Sequence, residues 1–145
     1  MDPIRLIRDK SELRGTCYFE LLPGEYRERC WNDSSVFLAE EVFALIEPVI
    51  ARHEPRFDHY AFVGTSRSTW ERIIADLERV AEFVRTAESV GELRGQVGFF
   101  FTTSESEFAA DFKPNAEALV SMIGELVSWL RDQLKQQACV SILGM

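Results

Sequence analysis

Trp70, Ile73, Ile74, Leu77, Val80, Ala81 and Val84 recur at helical spacing, and Glu71, Arg72, Asp76, Glu78, Arg79, Glu82 and Arg85 fill the positions between them. A segment divided in this way is an amphipathic helix with one apolar face. Such a helix owes most of its stability to whatever covers that face, so the rest of the chain has to supply packed layers around it. Ser68-Thr69-Trp70-Glu71 reads as a capping box at its start, and Gly91 as its stop.

Two further helices are expected. One covers 36–51, beginning after the capping residues Ser34-Ser35. Phe37, Leu38, Val42, Leu45, Ile46, Val49 and Ile50 wrap much of its surface, and Glu40, Glu41, Ala44 and Glu47 leave a narrow polar stripe, so it should be deeply packed. Pro48 removes a backbone donor inside it and should kink it or end its first segment. The other runs from near Pro114 to near Gln137, with a buried stripe of Leu119, Ile123, Leu126, Val127, Leu130 and Leu134. Trp129 lies off the centre of that stripe and is expected to be partly exposed.

Four strand-like runs separate these helices. Residues 16–22 end at the turn signal Pro23-Gly24, and residues 59–63 precede Gly64. Residues 96–102 are aromatic and β-prone, and residues 139–143 are apolar enough for a buried strand. The pattern predicts one α/β or α+β domain over 1–145, with three substantial helices packed on a small β-sheet. A chain of this length buries a core without disulfides or metal.

Composition removes several classes of function. With 24 acidic residues against 16 Lys and Arg the net charge is −8, which a phosphate backbone repels, so no nucleic acid is expected as partner. No apolar run reaches the ~20 residues that cross a bilayer. The start, Met1-Asp2-Pro3-Ile4-Arg5, has no apolar signal region. Cys17, Cys30 and Cys139 are odd in number and widely spaced, which reads as reduced thiols and a cytoplasmic location. Cys17 and Cys139 are expected in the core and Cys30 partly exposed.

Chemistry-bearing patterns are sparse. His53 and His59 flank Pro55 at a spacing of six, which destroys the one-turn geometry of helical zinc ligands, so no metal is expected. Gly64-Thr65-Ser66-Arg67-Ser68-Thr69 joins a strand to a helix start and offers hydroxyls and an arginine to an anion. The favoured reading is that Ser66 or Ser68 caps the helix, since hydroxyl caps are so common and no phosphate-loop pattern is present. There is no GxSxG elbow and no activated thiol setting, so neither catalytic residues nor a cofactor are expected.

The stretch Thr102-Thr103-Ser104-Glu105-Ser106-Glu107-Phe108-Ala109-Ala110-Asp111-Phe112 reads as a surface connection. Glu105, Glu107 and Asp111 are candidate contacts for a basic protein, with Phe108 and Phe112 as apolar anchors beside them; the alternative is that both rings fold inward and pin the loop, leaving a solvated charged rim. Glu78 and Glu82 on the amphipathic helix form a weaker second patch. The whole chain, with its ending Trp129-Leu130-Arg131-Asp132-Gln133-Leu134 and Cys139-Val140-Ser141-Ile142-Leu143-Gly144, resembles the immunity proteins of bacterial contact-dependent inhibition and other polymorphic toxin systems. That resemblance implies stoichiometric binding to one cognate toxin, often a basic nuclease domain, with carboxylates imitating the toxin's substrate; it carries over no individual residue. The alternatives are a regulatory domain that self-associates through Phe99-Phe100-Phe101 or the terminal strand, and a small anion-binding enzyme using the 64–69 loop.

Overall fold

The computed structural model describes residues 1–145. Its strands are β1 (Tyr18–Pro23), β2 (Val36–Ala39), β3 (Phe62–Ser66) and β4 (Cys139–Leu143). They form one antiparallel sheet in the order β2-β1-β4-β3. Helices α1 (Glu40–His53), α2 (Arg67–Thr86), α3 (Thr102–Ala110) and α4 (Phe112–Leu134) complete an α+β domain, with 3-10 turns at Lys10–Glu12 and Val90–Leu93.

Strand register explains which face the helices cover. Phe19 lies opposite Leu38, Leu21 opposite Ile142, and Val63 also opposite Ile142, so these side chains share one face. They join the apolar stripes of α1, α2 and α4 in a continuous core of 34 buried residues, which makes the chain one domain. Phe19 stacks on Phe43 of α1 with ring centroids 3.8 Å apart. Trp70 of α2 is fully buried, and its indole N–H donates to the Val140 carbonyl of β4 at 3.0 Å, which satisfies its one polar atom.

The opposite sheet face is covered unevenly. Ile7 exchanges backbone hydrogen bonds with Phe37, and Trp31 from the β1–β2 connection packs on the Phe37 ring. Toward β3 that face opens, and Phe62 and Gly64 are exposed.

Several sequence expectations shift. Residues 36–39 are strand, not the first turns of a helix, because they find antiparallel partners on both sides, β1 and Ile7. Pro48 lies within α1 without ending it. Ser66, not Ser68, caps α2, its hydroxyl accepting from Thr69 N–H, and α2 ends at Thr86, before Gly91. The strand expected at 59–63 is displaced to Phe62–Ser66. Residues 96–101 are irregular and not a strand, and the expected surface connection at 102–110 is helical. Trp129 is buried, Cys17 is exposed and Cys139 half-buried, each against expectation.

Candidate partner-binding face

A proline and a glycine place the aromatic segment. Pro48 has no N–H to donate to the Ala44 carbonyl one turn earlier, which leaves that oxygen open on α1. Gly98 lies directly against it. A Cβ there would collide with the Ala44 carbonyl and would lie 3.1 Å from Pro48 Cδ, while the Gly98 N–H donates to the Leu45 carbonyl at 3.2 Å. The backbone therefore docks on α1 at Gly98, where a residue with a side chain would not fit. Phe99 then turns inward onto Phe108, and Phe100 onto His59, leaving Phe101 51 % exposed.

A second glycine sets His59. Gly144 pairs with Ala61, and its Cβ would lie 2.5 Å from the His59 carbonyl. Met145 N–H donates to that same carbonyl at 2.9 Å. The imidazole is thereby held between two carboxylates of α1. Nε2 lies 2.8 Å from Glu40 Oε1, and Nδ1 lies 2.9 Å from Glu47 Oε2. Phe100 stacks on the ring at 5.0 Å, with Phe19 and Tyr60 edge-on. Burial pushes the His59 pKa down, but the hydrogen bonds and charges of Glu40 and Glu47 outweigh it, and the net shift is upward.

The acidic side chains continue across the start of α1 to α3. The Met1 ammonium is paired with Glu107, and the bond to Glu107 and the charge of Glu41 both raise its pKa. One oxygen of Glu41 is buried without a hydrogen-bond partner. Asp111, one helical turn beyond Glu107, is exposed and has no ion-pair partner. Tyr60, 69 % exposed, packs on the His59 ring, and Phe101 packs on Phe100, which stacks on the same ring, so both exposed aromatics adjoin the cluster of His59, Glu40 and Glu47.

The structure redistributes the expected contact residues. Phe108 is fully buried between Phe99 and Phe112, so it anchors α3 from inside and offers nothing to a partner; Phe101 is the exposed aromatic of this region. Glu105 is bonded to Arg94 at 3.0 Å. Glu78 pairs with Arg131 and Glu82 with Arg85 along a groove of about 600 Å³ between α2 and α4, away from the aromatic face. Four of the five acidic residues singled out from the sequence thus already hold an internal cation.

The other candidates resolve into structural roles. Arg67 donates to the Leu134 and Gln137 carbonyls at the end of α4, and Ser66 caps α2, so the 64–69 loop is occupied with its own helices. His53 bonds Asp76 and does not share a partner with His59. No three His, Cys, Asp or Glu side chains are arranged to hold a metal ion. The terminal strand is central in the sheet, paired on both sides, which leaves it no free edge for self-association. No helix is long and apolar enough to cross a membrane. Tyr60 was missed, and Phe101 was singled out only together with Phe99 and Phe100 as a surface for self-association, because a sequence does not distinguish an aromatic residue facing solvent from one facing the core. No protein-family model, curated protein or solved structure matches this chain.

Proposed function

We propose that this chain is an immunity-type protein that binds and neutralises a basic toxin domain one to one, through the face bearing Tyr60, Phe101, Glu40, Glu41, Glu47 and Glu107. One observation carries the reading: two exposed aromatic rings, Tyr60 and Phe101, adjoin the His59 cluster with Glu40 and Glu47 on a chain of net charge −8. Aromatic anchors supply contact area at low entropic cost, and the carboxylates accelerate encounter with a positive surface. The cations already within this face, His59 and the Met1 ammonium, lie against carboxylates that a partner's Lys or Arg would approach in the same way. The whole-chain resemblance to immunity proteins adds the toxin as the class of partner.

The test compares the tagged wild-type chain with a Tyr60→Ala/Phe101→Ala variant in affinity capture from native cells at low salt. One stoichiometric basic protein, retained by the wild type, released at least ~10-fold more readily by the variant and inhibited by the wild type, is the expected result. Equal retention by both proteins overturns the assignment of this face. Recovery of the chain as a homodimer that the double variant dissociates would replace the toxin with a second copy.

A further inference from the structure

We propose that His59 is a proton-operated latch: as an imidazolium it joins Glu40 and Glu47 of α1 to the ring of Phe100 and so keeps Phe101 in the binding face, and loss of its proton frees Phe100 and Phe101. Between two ionised carboxylates the geometry suits the charged form. A neutral imidazole has one N–H, whereas both ring nitrogens here lie within 3 Å of a carboxylate oxygen. Deprotonation sets a lone pair against one of those carboxylates, and that bond becomes a repulsion.

The groups facing His59 are few and all point the same way. From α1 come Glu40 and Glu47, neither of which has another ion-pair partner. β1 contributes the uncharged Phe19, the turn contributes Tyr60, and the docked segment contributes Phe100. The residues after β4 contribute the main-chain N–H of Met145. No cation stands ready to replace the lost charge between the two carboxylates. Phe100 is therefore the movable member: its neighbour Phe101 is exposed, whereas Gly98 stays tied to α1 through its N–H and Phe99 to Phe108.

The latch belongs to the free protein, and its consequence for recognition rests on the partner-binding reading above. The test is two-dimensional NMR of the full chain from mildly acid to mildly alkaline pH. The expected result is that the His59 ring signals and the amide signals of Phe100 and Phe101 move with one shared midpoint above 6.5, and that the Phe101 amide gains fast motion on the alkaline side. In Glu40→Gln the side-chain amide donates to the deprotonated Nε2, so the 98–101 signals should stay still over the same range. Segment signals that do not follow the His59 titration in the wild type, or a midpoint at or below 6.5, overturn the latch. Because no partner is present, a failure of the partner reading leaves this result standing.

Discussion

Single buried residues decide how the non-helical parts of this chain are held. Glu20, on the strand face away from the helices, is buried, and its carboxylate accepts from Trp31 N–H at 2.7 Å, Asn32 N–H at 3.0 Å, the Asn32 amide at 2.9 Å and the Ser35 hydroxyl at 2.6 Å. Those bonds hold Trp31 with φ at 60°, a left-handed conformation that costs a non-glycine residue energy. Replacing one acceptor oxygen by an NH2 group sets donor against donor in a dry site, so Glu20→Gln should cost about 3 kcal/mol in urea unfolding. Gly98→Ala forces the docked backbone off the Ala44 carbonyl. It should lower stability by about 2 kcal/mol and raise the mobility of Phe101 in NMR relaxation. Neither residue was recognisable from sequence. One glutamate among so many carries no signal, and a glycine in an aromatic run reads as an interrupted strand until Pro48 is seen beside it.

Among the elements, those with a long period were legible and those set by pairing were not. The apolar face of α2, Trp70 to Val84, is buried as its spacing predicts, and the stripe of α4 likewise. Residues 36–39 carry the same apolar residues that a helix would use, and only their partners, β1 and Ile7, make them a strand. The α1–α2 contact adds a polar tie that spacing does not show. Asp76 of α2 receives Arg52 and His53 from α1 and Arg79 from its own helix. Burial raises its pKa, but the bonds from Arg52, His53 and Arg79 lower it further, to about 2 from 3.8. The folded value is depressed, so the tie is fully present above 3.8 and is lost as pH falls toward 2. It contributes about 2 kcal/mol at neutral pH. Asp76→Asn should remove that amount at pH 7 in urea titrations and flatten the fall in stability through the acid window.

For the molecule as a whole, acidity was visible in the sequence, but its availability was not: Glu78, Glu82 and Glu105 look free until their cations are located. The fold class followed from alternating apolar periods, while the strand order did not, because no local feature records that β4 separates β1 from β3. That placement has a further meaning. β2-β1 and β3 have no strand contact with each other except through β4, which pairs with β1 from Glu20 to Pro23 and with β3 from Phe62 to Ser66. The last strand is therefore a keystone that a separate molecule can deliver. A chain cut after Gln137 should lose its cooperative unfolding transition. Adding a synthetic peptide of residues 138–145 in trans should restore it, with a saturable gain in circular dichroism and burial of Trp70 read by its fluorescence. If the cut chain folds unaided, the two halves of the sheet are held by the helices and not by the strand between them. If the peptide restores it, this domain is a ready split reporter whose two pieces signal only when they meet.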